Sequence, residues 1–245
     1  WNTTIGTTMV VKGVTTRQLE DAAGTLYSHR HPQGYWMPGG ASNTGADWIT
    51  KEFSADGGDG TNGTDGAGRT GLAALDTEAA RLIPTGLITW PLCQTGERFP
   101  FIAPQARGFA PPGLSAAQRF AAGMEGVAFL ERYAYDVIRR LSGEPIRAIY
   151  TAGGGSNSDT WLTIRCNVLD LPIKKMKHGT GAMGAAILAA SRTHYANLTE
   201  AGRAMTHLEK ILTPTPELVR RYAPLYNEFI HTLQAKGYIK KRSHA

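Results

Sequence analysis

The segment from Ile146 to Trp161, IRAIYTAGGGSNSDTW, constrains this chain more than any other. A β-branched, apolar run ends in three consecutive glycines, and a polar stretch with helix-starting residues follows. The pattern reads as a strand, a turn whose backbone can approach a ligand closely, and the N-terminus of a helix. Without three Cβ atoms there is room for a flat group such as a purine, or for a phosphate, to lie against the main chain. Ser156, Asn157 and Ser158 are natural N-caps, and they put hydroxyl and amide groups beside the same turn. A tight strand-to-helix connection with no ligand has the same residue pattern, so this segment alone leaves both readings open.

Related elements recur along the chain. Residues 1–11 read as a strand interrupted at Gly6-Thr7-Thr8, where main-chain N–H groups and two hydroxyls could meet a phosphate, or as a strand merely rich in threonine. Residues 25–37 read as a hairpin turning at His31-Pro32-Gln33-Gly34. Gly39 to Gly45 forms a further glycine turn running into a helix that ends near Phe53. Residues 54–71 alternate Asp and Gly; a single copy lacks the repeated hydrophobic position of stacked calcium-binding turns, and a surface loop is expected. A short helix over 72–82 comes next. Glu97 and Arg98 read either as partners of other segments near a cleft or as surface charges.

The longest helix is expected from Ser115 to Leu141, with Phe120, Met124, Val127, Ala134, Val137, Ile138 and Leu141 on one face and Ser142-Gly143 ending it. Gly123 and Gly126 inside it cost about 1 kcal/mol each relative to Ala, which close packing against a strand or glycine turn would offset. A helix over about 157–167 and a short strand near Pro172-Ile173 follow. His178, beside the Gly179-Thr180-Gly181 turn, reads as a ligand contact or as a structural histidine. The small-residue helix over 182–190 is expected to pack its backbone tightly. The remainder reads as helical and tyrosine-rich, divided by Pro214, Pro216 and Pro224, with a frayed basic tail.

At 245 residues, 42% hydrophobic and 19% charged, the chain suits one large globular domain or two small ones. It has no apolar run of the roughly 18 residues that suggest a membrane span, and its start does not read as a signal peptide. Cys93 and Cys166 have neither metal-ligand spacing nor a disulfide framework, which fits a reducing cytoplasm. The net charge of +6 comes partly from clusters at 174–177 and 236–242 that lack aromatic interleaving. A solvated surface that attracts small anions is therefore expected rather than nucleic-acid binding.

Six segments in this order resemble the C-terminal half of the FGGY family of carbohydrate kinases, in the actin/Hsp70/hexokinase ATPase superfamily. They are Ile5-Gly6-Thr7-Thr8, Gly39 to Gly45, Gly96-Glu97-Arg98-Phe99-Pro100, Met124 to Ala128, Thr151 to Trp161 and Gly181 to Ala186. Tyr27-Ser28-His29-Arg30 and Gly39 to Gly45, together with Thr95 to Pro100, look most like the D-ribulose kinase, or xylulose-kinase-like, branch. The resemblance implies an α/β, ribonuclease H-like domain over 1–235, a mixed sheet flanked by helices, with a basic tail at 236–245. It also implies phosphorylation of a sugar hydroxyl, of a ketopentose such as D-ribulose or D-xylulose, by ATP with Mg2+ across a cleft between two such domains.

Carried over, Gly6, Thr7 and Thr8 lie at the phosphates, Gly40 and Thr44 near the ribose and phosphates, and Gly154, Gly155 and Ser158 beside the adenine. Glu97, Arg98 and Glu125 look like framework. The family's general base is an aspartate just upstream of the Gly-Thr-Thr strand, and its sugar site and metal-linked aspartate are in the N-terminal domain. No catalytic or metal-binding residue is therefore assigned here, and that domain is an expected partner beside nucleotide and sugar. No nucleic acid or membrane is expected, and a homodimer stays open. The alternative is a non-catalytic ATP-binding or interaction module of the same fold.

Overall fold

The computed structural model describes residues 1–53 and 69–240. In chain order these form β1 (Asn2–Ile5), β2 (Met9–Lys12), β3 (Tyr27–Arg30), β4 (Trp36–Ala41), α1 (Asp47–Phe53), α2 (Arg69–Leu82) and α3 (Ala116–Ser142). There follow β5 (Ile149–Ala152), a 3-10 turn (Gly154–Asn157), α4 (Asp159–Leu169), β6 (Ile173–Met176), α5 (Gly181–Thr193), α6 (Leu198–Met205), β7 (Leu208–Leu212) and α7 (Pro216–Ala235).

The strands make one mixed sheet in the order β3-β4-β2-β1-β5-β6-β7. β5 runs parallel to both β1 and β6, and the other neighbours are antiparallel. Thr3, Ile5, Met9 and Val11 alternate onto one face and are fully buried. There Val11, Ile149 and Ile173 pack with Tyr135 and Ile138 of α3 and Leu162 and Cys166 of α4. A second cluster, around Trp48, Trp90, Phe129, Trp161 and Phe229, joins α3 to the segments flanking it.

Local signals explain the longest helix. Ser115 accepts from the Gln118 N–H while the Gln118 side chain accepts from the Ser115 N–H, a reciprocal cap. Gly143, at φ 67°, closes the other end by donating to the Arg139 carbonyl at 2.9 Å. The interior glycines do serve close packing, but against a tryptophan ring of α1 and a loop carbonyl rather than a strand or glycine turn. A Cβ on Gly123 would come within 2.6 Å of the Trp48 ring, and one on Gly126 within 2.2 Å of the Thr89 carbonyl oxygen.

Several expectations are corrected. Residues 1–11 are not one interrupted strand: the chain reverses at Gly6–Thr8, pairing Ile5 with Met9 and Thr3 with Val11. The 25–37 hairpin forms, but β4 continues through Ala41, so Gly39 and Gly40 sit in the strand opposite Lys12 and Val11. A Cβ on Gly39 would lie 2.5 Å from the Val11 carbonyl oxygen, so glycine there serves strand approach rather than a turn. α2 starts three residues before the expected Leu72. Most of the Asp/Gly segment, residues 54–68, lies outside the described residues.

The region after α5 is not all helical, because Leu208–Leu212 pairs antiparallel with β6 as the edge strand. α5 itself is not tightly packed. It rests on α6, only Ser191 of the helix is buried, and Cβ atoms on Gly181 or Gly184 would meet nothing within 4 Å. The start of the tail is anchored rather than frayed. The Tyr238 ring packs 5.8 Å from that of Trp90, and its hydroxyl accepts from the Arg107 N–H at 3.2 Å.

Beneath the central strands lies a buried ion pair. Arg165 Nε and Nη2 donate to the two Glu131 carboxylate oxygens at 2.7 and 2.8 Å, and both side chains are fully buried. Arg165 Nη1 also donates to Thr151 Oγ1 at 2.7 Å, and that hydroxyl donates to the Thr3 carbonyl at 3.2 Å. Glu131→Ala would leave the guanidinium buried and unpaired, and a loss of about 3–5 kcal/mol in urea unfolding is expected. Replacing both partners with Met should cost far less, since no charge then remains uncompensated.

Glu125 of α3 holds two other segments. It accepts from the Thr85 N–H at 3.0 Å, from the Thr85 hydroxyl, and from the Tyr222 hydroxyl at 2.9 Å. Burial raises its carboxyl pKa above the ordinary 4.5, and the Thr85 and Tyr222 hydrogen bonds reduce that rise without cancelling it. The folded state thus keeps this proton to higher pH than the unfolded state does. Its contribution is greatest below the unfolded pKa and falls as pH rises through the folded one. Unfolding free energies measured against pH should show that decline in the native protein relative to Glu125→Gln.

Candidate functional site

Because β1 and β5 are parallel neighbours, the turns after them emerge side by side at the same sheet edge. They touch through Ile5. Gly153 has φ 85°, and a Cβ there would lie 2.4 Å from the Ile5 carbonyl oxygen, so only glycine suits the position. A Cβ on Gly155 would be 3.0 Å from both the Ile5 side chain and the Trp161 ring. Gly154 differs: it is exposed, and a Cβ there would meet nothing within 4 Å.

A third turn, Ser42 to Ala46, closes onto the first. The Ala46 N–H donates to the Gly6 carbonyl at 2.8 Å, and the Met9 N–H to the Thr44 carbonyl at 2.9 Å. A Cβ on Gly45 would come within 2.4 Å of the Thr7 carbonyl oxygen. Glu97, buried beneath, fixes this turn. Its carboxylate accepts from Ser42 Oγ at 2.8 Å, Asn43 N at 2.6 Å, Thr44 Oγ1 at 2.9 Å and Arg98 N at 2.9 Å. Arg98 Nε donates to the Ala41 carbonyl at 2.8 Å. Both residues are therefore built into the framework.

Beside the glycine turn opens a cleft of about 580 Å³. Leu72, Ala73 and Asp76 of α2 line one side, and Phe120, Met124 and Trp161 form apolar walls. Trp161 is held in place by its Nε1–H, which donates to the Met124 carbonyl at 3.0 Å. Ser158 caps α4 by accepting from the Trp161 N–H at 2.9 Å, and its own proton goes to Asp76 Oδ1.

The residues expected at a ligand thus divide into three groups. Gly6, Thr7, Thr8, Gly154 and Gly155 lie along the converging turns, with Thr7 and Gly154 exposed. Gly40 and Thr44 lie behind them. A Cβ on Gly40 would meet the Phe99 ring at 2.2 Å, and the buried Thr44 hydroxyl is taken up by Glu97 and by the Trp90 indole N–H at 2.9 Å. Ser158 has its proton committed to Asp76. The α2 wall was not anticipated from sequence; Asp76 meets Ser158 across 82 positions of chain. His178 and Gly179 do return to the same sheet edge, where a Cβ on Gly179 would lie 3.3 Å from that of Ala152.

This strand order, with glycine turns converging at the ends of parallel central strands, is the actin/hexokinase-like ATPase fold. A xylulose kinase structure from Rhodospirillum rubrum superposes with a TM-score of 0.77 at 23% identity, over 96% of this chain and 46% of that one. A Plasmodium falciparum glycerol kinase structure with ADP superposes with a TM-score of 0.72 at 15% identity, over 94% of this chain and 46% of that one. Residues 1–192 match the model of the FGGY family of carbohydrate kinases, C-terminal domain, and the chain belongs to that family.

Among curated relatives, a xylulose kinase of Staphylococcus epidermidis is 29% identical over 194 residues, 76% of this chain and 36% of that protein. The chain thus spans about a third of that relative's length. Such relatives support the xylulose-kinase-like branch. Among the described residues, no helix is long and apolar enough to cross a membrane.

Glu97→Ala would strand at least four donors around the Ser42–Ala46 turn. A loss of about 3 kcal/mol or more in denaturant unfolding is expected. Hydrogen exchange should also become faster at Asn43 and Ala46 than at the caps of α3.

Proposed function

We propose that this chain is the nucleotide-binding half of an ATP-dependent carbohydrate kinase. The observation that carries the reading is the open main chain at Gly154, at the mouth of an apolar cleft and one strand away from the Gly6–Thr8 turn. A nucleoside fits with its base in the cleft against Gly154 and Gly155. Its phosphates then extend towards Gly6 and the hydroxyls of Thr7 and Thr8, while Gly40 and Thr44 support the turn from behind.

Transfer of the terminal phosphoryl group requires a base on the acceptor hydroxyl, an in-line approach and charge neutralisation at the phosphates. Of these, this chain supplies the nucleotide's binding and orientation. Among the described residues, no group of three or more His, Cys, Asp or Glu could hold a metal ion. A divalent ion, Mg2+ in our reading, would be held by the nucleotide's own phosphates and neutralise their charge. We assign the general base and the sugar pocket to the N-terminal domain with which residues 1–235 would form the cleft.

The sugar is a ketopentose in this reading. D-Xylulose is favoured by the names of the relatives, and D-ribulose by the resemblance of the Tyr27–Arg30, Gly39–Gly45 and Thr95–Pro100 segments. The free cysteines Cys93 and Cys166 fit a reducing compartment such as the cytoplasm.

Calorimetric titration of the chain with Mg-ADP, beside a Gly154→Asp variant, tests this. Saturable binding is expected, weakened roughly tenfold or more in the variant. The thermal midpoint should change little, because a Cβ at Gly154 meets nothing within 4 Å. Absence of binding by a folded native chain would overturn the reading.

A further inference from the structure

Asp76 sits one turn along α2 from Leu72 and Ala73, on the wall of the same cleft. Two hydroxyls from the start of α4 hold its carboxylate. Ser158 donates to Oδ1, and Thr160 Oγ1 lies 3.0 Å from Oδ2 and 3.1 Å from the Asp76 carbonyl oxygen. Ser158 cannot offer its proton to a ligand at the same time, because its oxygen caps the Trp161 N–H and its proton points to Asp76.

The ion pairs among the described residues do not include Asp76. An ionised carboxylate has about four acceptor sites, and the two hydroxyls leave some of them free. The result is a fixed acceptor, without an ion-pair partner among the described residues, beside apolar walls of a size and character suited to a flat ring. Such a group attracts N–H donors on that ring's edge and repels ring carbonyls and phosphates.

We infer that Asp76 is a specificity-determining residue that accepts a hydrogen bond from the exocyclic amino group of a purine base. Ser158 and Thr160 are its positioning residues. This rests on the nucleotide reading of the cleft and adds to it the recognition of the base and the direction in which the nucleotide lies. The base edge faces α2, and the phosphates point away from Asp76.

Two matched pairs of nucleotides isolate the amino group. ADP and purine riboside 5′-diphosphate differ only in the 6-amino group, while GDP and IDP differ only in the 2-amino group. Titrating the native chain with all four, each with Mg2+, should give a preference of about tenfold or more for the amino-bearing member of one pair. Asp76→Leu, which removes both acceptor oxygens at similar size, should reduce that ratio to near one while still binding the member that lacks the amine. The ratio is a readout that a merely structural role for Asp76 would not move. Should Asp76→Leu fail to fold, Asp76→Glu, which displaces the carboxylate by one methylene, should lower the ratio instead.

Binding with both ratios near one in the native chain, or a ratio that survives these substitutions, would overturn this inference and leave the nucleotide reading standing. No binding of any of the four by a folded native chain would overturn both.

Discussion

The Glu131–Arg165 pair is the interaction on which the arrangement of the site depends. Two unit charges removed from water are tolerated only when geometry and hydrogen bonding are good, and here the pair is bidentate, with a third bond to Thr151. Because the guanidinium spans from α4 to α3 and to the middle of β5, it restricts the rotation of α4 about its own axis. The start of that helix carries its cap Ser158, then Thr160 and Trp161. Thr151 stands two residues before Gly153, so the same network fixes the strand end from which the glycine turn leaves. Tyr135, 2.7 Å from the Thr3 hydroxyl, extends it to the neighbouring strand. A change far beneath the surface would therefore reach the cleft through positions rather than through contact with a ligand.

The glycines around the site have two opposite uses. At Gly45, Gly126 and Gly153 a Cβ would strike another segment's carbonyl oxygen at 2.4 Å or less, so these positions draw main chains together. At Gly6 and Gly154 nothing lies within 4 Å, and there glycine leaves bare backbone facing outward. The packing glycines bring three turns, distant in sequence, to one edge of the sheet; the open ones are what that edge presents. Glycine content alone cannot separate the two uses, since the difference lies in what the rest of the chain places opposite each residue.

That distinction also explains what was legible in the sequence. The longest helix could be read to within a residue at each end because Ser115, Gln118 and Gly143 act on their own neighbours. The strand, glycine turn and helix from Ile149 to Leu169 were legible for the same reason. Gly40 was misleading: its partners, Val11 and Phe99, are 29 and 59 positions away, and without them a glycine pair reads as a turn. β7 was hidden because Leu208 and Ile211 remain half exposed on an edge strand, so its residues show no burial alternation. The small residues of α5 suggested close packing, but α6 covers only part of the helix. In the cleft, the glycine turn could be read locally. The α2 wall could not, because it is defined by an encounter between Asp76 and Ser158.

The electrostatics of the cleft bear on how such a site would gain affinity. The chain carries a net charge of +6, yet no Lys or Arg is among the described residues lining the cleft, while Asp76 and Asp159 are. Lys210 pairs with Asp159, one of those lining residues. General positive charge can speed the encounter with an anion, but it does not set the orientation of a bound one. Orientation must come from the local lining, which is apolar and mildly acidic along α2 and neutral at the Gly6–Thr8 turn. A nucleotide entering with its phosphates towards Asp76 would meet like charge, with no compensating cation among the described lining residues. Entering base first, it would bury its ring against Phe120, Met124 and Trp161 and leave the phosphates beside uncharged main chain and hydroxyls. Burial of the ring at about 25 cal/mol per Å² would then supply much of the binding free energy. The polar groups of this chain would act mainly to select the base and aim the phosphates.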